Sequence, residues 1–290
     1  MAVPISPDHG GPSDGLVRLG RWLAGRVVVE PLARIAGDAR RQRPSLSLRV
    51  DGHDRAVEPG VAARLARDAS GRVLVLVPAS GGDERTWRRG VDGTGATYGD
   101  RLAAVLGWSP VPLRHDGAGD PEDGLVLGAL LQRLVESWPV PVTRLVLVAE
   151  GDAGLLVRGA LAVRQPGCRP WTDLVTELVM LGTPQLGTAG EPRPGIGRRL
   201  EEDLAGLVVV GPEVLDVPPL GHVDYLVVTD RAASRPHPVG RALGGLLRWR
   251  RRSRRVHDLF PTAERFEVST RAHPLVNHPE IHDALLRWLA

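Results

Sequence analysis

Residues 143–160, TRLVLVAEGDAGLLVRGA, decide how this chain folds. Leu145-Val146-Leu147-Val148 is a continuous apolar run, the pattern of a parallel strand covered on both faces. Ala149-Glu150-Gly151-Asp152-Ala153-Gly154 then turns the chain. Leu155-Leu156-Val157, with Ala160 and Leu161, starts an apolar helical stripe. The segment therefore reads as buried strand, tight turn and helix. Gly151, in the middle of the turn, carries no hydroxyl, thiol or carboxylate.

Working outward, the same alternation of strand and helix recurs on both sides. Upstream, Leu46-Ser47-Leu48-Arg49-Val50 alternates apolar and polar residues and ends at Asp51-Gly52, a turn signal. A helix from about Val61 to Asp68 follows. Val73-Leu74-Val75-Leu76-Val77 is the strongest strand, stopped by Pro78-Ala79-Ser80-Gly81-Gly82. A helix around Asp100–Leu106, a strand near Ser109–Arg114 and a long helix over about Glu122–Trp138 complete the upstream half. Downstream, the strand Leu178–Leu181 runs into Gly182-Thr183-Pro184, and Tyr225–Thr229 and Arg265–Val268 read as later strands. The last helix begins near Asn277 with Pro279 in its first turn. This order predicts an α/β fold, a doubly wound, mostly parallel sheet flanked by helices. Residues 1–13 read as a flexible leader and 14–290 as one domain, with a Gly/Pro-rich cap or irregular region over 182–221.

Composition narrows the class of function. A chain of 290 residues with 42% hydrophobic content can bury a sizeable core. That core must be mostly aliphatic, since Phe and Tyr occur twice each. Lysine is absent and arginine supplies the basic charge, as a high-GC coding background would give. A net charge of +3 does not point to nucleic acid. Cys168 is the single cysteine, which excludes an internal disulfide framework and a multi-cysteine metal cluster. No run approaches the ~18–20 apolar residues of a membrane span. The opening residues lack the pattern of a signal peptide, so a cytoplasmic location is expected. The segment 14–37 reads as a basic amphipathic helix, and 248–255, RWRRRSRR, as a clustered arginine loop. Both read first as a domain-edge helix and a solvated loop, and second as peripheral contacts with an anionic membrane. No His, Asp or Glu spacing suits a metal, and without lysine a P-loop is excluded, so no cofactor is expected.

Five segments in order carry a family resemblance: VLVLVPASGGDERTW, RLAAVLGWSPVPLRHD, VTRLVLVAEGDAGLLVRGAL, ELVMLGTPQLGT and VNHPEIHDALLRWL. Together they resemble the lipase-like bacterial α/β-hydrolases, the group similar to GPI-inositol deacylases and triacylglycerol lipases, from about residue 72 to the C-terminus. The resemblance implies a nucleophile elbow, G-x-S-x-G, at the 145–161 turn. Ungapped against the family's L-V-G-H-S-M-G-G-L-V-A-R, this chain puts Gly151 at the serine position. Shifting by one residue would place Asp152 there, as in relatives that attack with a carboxylate. The elbow needs small residues two before and two after the nucleophile. Ala149 and Ala153 meet that need, whereas the shifted register would require Glu150 to do so.

The rest of the implied machinery also departs from the family. The His-Gly pair that helps form the oxyanion hole is matched by Pro78-Ala79, and proline has no N–H. Ser80 is a conceivable substitute nucleophile, though a serine in Ser-Gly-Gly is usually a turn residue. The segment resembling H-P-L-G-R-L-L-G-D-L-L is His237–Leu247, which puts Gly245 in place of the acid; Asp224, Asp230 and Asp258 are alternatives. The expected histidine is matched by His273, one residue closer to the last helix than the family's H-F-x-L-L-N-H-P. The resulting expectation is a degenerate hydrolase that binds an apolar or ester-like small molecule, or a protein partner. Its pocket would be lined by Pro78, Ala79, Ser80, Gly81, Glu150, Gly151, Asp152, Gly182, Thr183, Pro184 and His273. The alternative is an active lipid or carboxylic ester hydrolase using Asp152 or Ser80, with His273 as base.

Overall fold

A computed structural model of the chain describes residues 45–65, 68–116, 123–162, 170–183, 219–231 and 260–290. Eight strands form one sheet: β1 Leu46–Val50, β2 His53–Arg55, β3 Arg72–Val77, β4 Ser109–His115, β5 Arg144–Glu150, β6 Val175–Leu181, β7 Asp224–Asp230 and β8 Glu264–Val268. Their order is β2-β1-β4-β3-β5-β6-β7-β8. β3 to β8 pair in parallel, whereas β1 is antiparallel to both β2 and β4. Among the described residues, five α-helices accompany the sheet: α1 Pro59–Leu65, α2 Tyr98–Leu106, α3 Asp123–Ser137, α4 Ala153–Leu161 and α5 Pro279–Trp288. The doubly wound, mostly parallel sheet expected from the apolar runs is the observed architecture.

Period-two alternation in the central strands explains the two layers. Val73, Val75, Leu145, Leu147, Leu178 and Met180 face a core that includes Val61 of α1, Leu127 and Leu131 of α3, and Val157 of α4. Leu74, Leu76, Val146, Val148, Val179 and Leu181 face the opposite core, with Leu102 of α2 and Ile281 and Leu285 of α5. Both faces of each strand are therefore dry, which is why these segments read as unbroken hydrophobic runs.

The first strand lies at Leu46–Val50, as its alternation predicts, and its polar residues Ser47 and Arg49 are buried as well as the apolar ones. The Asp51-Gly52 turn, with both residues at positive φ, folds β2 back on β1. Asp54 of β2 then accepts from Ser47 Oγ at 2.9 Å and from Arg49 Nη1 at 2.7 Å. Glu84 grips Arg49 from the 3-10 turn Glu84–Arg88. Burial of these polar groups is tolerated because each finds a charged partner. β2, three residues long, and the 3-10 turns 84–88, 91–93 and 171–174 gave no periodic signal in the sequence. The 1–13 leader, the 14–37 segment, Cys168, Pro184 and most of 182–221, the 237–247 match with Gly245, the 248–255 loop and Asp258 lie outside the described residues.

Candidate functional site

The sheet order creates a crevice. After β3 the chain leaves to α2 on one face, and after β5 to α4 on the other face. β3 and β5 are hydrogen-bonded neighbours, so their connections diverge at the C-terminal edge of the sheet. In open α/β sheets ligands bind at such a switch point. The residues presented there are Pro78–Gly82 after β3, Glu150–Asp152 after β5, and Gly182-Thr183 after β6.

Gly151 stands at the bend. Its φ is +59°, and its N–H donates to Leu181 O at 2.8 Å. A side chain at this φ is strained, and a Cβ on Gly151 would lie 3.2 Å from Ala79 Cβ. Asp152 is different: its φ of −64° and ψ of −22° are helical, and it serves as the N-cap of α4. The bend is thus centred on Gly151, with Asp152 already in the helix backbone. Ala149 and Ala153, both fully buried, let strand and helix approach. Gly154 is closer still, since a Cβ there would stand 2.6 Å from Thr183 Cγ2. This contact draws the end of β6 onto the first turn of α4.

The carboxylates beside Gly151 bind the turn after β3. Ala79 N–H donates to Glu150 Oε2 at 3.3 Å, and Ser80 N–H to Asp152 Oδ1 at 2.9 Å. Glu150 Oε1 also pairs with Arg89 Nη2 at 2.7 Å. The turn itself is closed by Gly82 N–H to Ala79 O at 2.8 Å. Thr183 Oγ1 is buried and has no hydrogen-bond partner among the described residues.

His273 lies in the loop between β8 and α5. Its ring covers Gly93, where a Cβ would meet Cε1 at 2.8 Å, and it meets His278 edge-on at 5.7 Å between centroids. Among the described residues neither Ser80 nor Asp152 hydrogen-bonds His273, and no carboxylate does. The side chain that reaches the Gly182 turn from this loop is Leu275, whose Cδ1 would lie 2.7 Å from a Cβ on that glycine. Of the alternative acids, Asp224 starts β7 at the opposite edge of the sheet and is exposed. Asp230 ends β7 on the crevice side, with its oxygens on Thr270 N–H at 3.3 Å and Thr270 Oγ1 at 2.5 Å.

Several residues that hold this region were not evident from the sequence. Asn277, fully buried at φ +59°, donates to Trp87 O at 2.6 Å and Arg89 O at 2.8 Å, and accepts from Tyr98 N–H at 2.8 Å. Tyr98 Oη donates to Leu275 O at 2.5 Å and accepts from His278 N–H at 3.0 Å. Burial drives the Tyr98 phenol far above its ordinary range, so it stays a neutral donor. His278, adjoining the expected histidine, caps α5 through Nδ1. The loop before α2 and the loop before α5 are thereby joined. The one available signal was Asn277 itself, since asparagine tolerates the left-handed region.

The single mostly parallel sheet, its antiparallel first strand and helices on both faces define a protein of the α/β-hydrolase fold. Among solved structures the chain is similar to a probable hydrolytic enzyme from Pseudomonas aeruginosa, at 17% identity over 77% of this chain and 87% of that one, with a TM-score of 0.43. It is also similar to a lipase from Bacillus licheniformis, at 14% identity over 77% and 94% of the two chains, TM-score 0.43. A lipase/esterase from Lactobacillus plantarum gives 12% identity over 85% and 97%, TM-score 0.47. No protein-family model and no curated protein sequence matches the chain. Among the described residues, no helix is long and apolar enough to cross a membrane, and no group of three His, Cys, Asp or Glu could hold a metal ion.

Proposed function

We propose that this chain is a catalytically degenerate member of the lipase-like α/β-hydrolases, whose crevice binds an apolar or lipid-like molecule, or a protein partner, without hydrolysing it. The observation that carries this reading is Gly151, the positive-φ residue of the β5–α4 turn, which offers no nucleophilic atom. Two features support it. The Asp152 carboxylate is engaged with the Ser80 N–H, and no base is hydrogen-bonded to Asp152 or Ser80 among the described residues. A serine hydroxyl such as that of Ser80 is activated by such a base. The competing reading is an ester hydrolase using Asp152 or Ser80, with His273 as base.

Purified protein would be assayed with short- and long-chain p-nitrophenyl esters and a fluorophosphonate probe, beside Ser80→Ala and Asp152→Asn. The expected result is no turnover above that of the buffer and no labelling. Robust turnover that disappears in either variant would overturn the reading in favour of an active hydrolase.

A further inference from the structure

Two backbone donors in the crevice already hold anions, and both anions belong to the chain. Ala79 N–H is bound to Glu150 and Ser80 N–H to Asp152. Both donors lie in the turn after β3, where this fold places its loop donor for a developing oxyanion. The plugging groups flank Gly151 on either side, one ending β5 and one capping α4. Glu150 is fixed further by Arg89, whose Nε donates to Thr86 O at 3.2 Å and whose carbonyl is held by Asn277. Glu150 is 17% exposed and Arg89 55% exposed, so the acid is enclosed while its cation faces outward.

We propose that Glu150 and Asp152 form a built-in plug on the loop donors, so that the crevice refuses carboxylates and is left to uncharged apolar ligands. This rests on the ligand-binding reading above and names the charge class that the pocket selects. An incoming carboxylate could use the Ala79 or Ser80 N–H only by displacing an internal one. The displaced group would lose a charge-assisted hydrogen bond and stay beside a like charge. Among the described residues Arg89 pairs with Glu150, and no cation pairs with Asp152, so the two acids outnumber the cation bonded to them. An uncharged ester or alcohol displaces nothing and meets no repulsion.

The test follows the two amides directly. The full chain, labelled with nitrogen-15, is titrated with sodium butyrate while the Ala79 and Ser80 amide signals are recorded. In the wild type neither signal should move. In Glu150→Ala/Asp152→Ala both should move, with an affinity at least about tenfold above the wild type, the scale expected on removing a like charge at contact distance. Asp152→Ala alone should make Ser80 respond and leave Ala79 silent; it decides the matter should the double variant not fold. Wild-type amides that titrate as tightly as those of the double variant would overturn the plug. So would folded variants whose amides stay silent. Hydrolysis of p-nitrophenyl butyrate is read on the same samples: wild-type turnover would sink the non-catalytic reading, whereas the amide shifts alone judge the plug.

Discussion

Asn277 is where a single substitution should most clearly loosen the crevice. Its side chain satisfies Trp87 O and Tyr98 N–H inside the protein, and Arg89 O near the surface. Removing it leaves two buried backbone groups without partners, at about 1–3 kcal/mol each. The Arg89 carbonyl can turn to water and should add little. Alanine at φ +59° adds strain of about 1–2 kcal/mol, which glycine avoids. Glycine instead gives the unfolded chain more freedom, at about 0.4–1 kcal/mol. Asn277→Ala should therefore cost about 3–8 kcal/mol, and Asn277→Gly about 0.5–1 kcal/mol less. Asn277→Asp keeps the shape but points a carboxylate at two carbonyl oxygens, and should be at least as harmful as alanine. Denaturant unfolding followed by circular dichroism measures all three. Losses below about 1 kcal/mol in both the alanine and glycine variants would refute the claim that this network holds the loop.

Acidity should act through His282, which is buried, lies 4.6 Å from the Tyr98 ring and leaves Nε2 without a hydrogen-bond partner among the described residues. Burial lowers its pKa from 6.5 to about 4. The unfolded chain then binds the proton first, so this contribution is complete above pH 6.5 and is lost as pH falls towards 4, by up to about 3 kcal/mol. Unfolding midpoints across that window should flatten in His282→Leu. Glu84→Ala should leave buried Arg49 with Asp54 as its remaining carboxylate and cost about 2–3 kcal/mol, read as a lower thermal midpoint. The Glu84 pair also holds that acid's pKa below the ordinary range, mainly through its hydrogen bond from Arg49. Gly154→Ala should cost about 1–3 kcal/mol, because its Cβ would press on the Thr183 side chain. An unchanged denaturation midpoint in that variant would show that the β6 end gives way freely.

The sequence by itself determined the sheet, its mostly parallel character and the bend at residues 149–154. Those features are local: a strand buried on both faces must be apolar throughout, and a tight strand-to-helix bend must be built from small residues. Val73–Val77 and Leu145–Val148 meet the first condition, and Ala149, Gly151, Ala153 and Gly154 the second. Local patterning placed β1 but could not show that its polar residues are buried, which they are because Asp54 and Glu84 come to meet them. It also could not assign partners to polar groups. Ala79 and Glu150 are 71 residues apart, Ser80 and Asp152 72 apart, and Asn277 reaches back 190 residues to Trp87. A side chain's periodic position reports which face is covered. Which donor a buried carboxylate or amide will meet depends on where distant strands end, and that was decided by the tertiary structure alone.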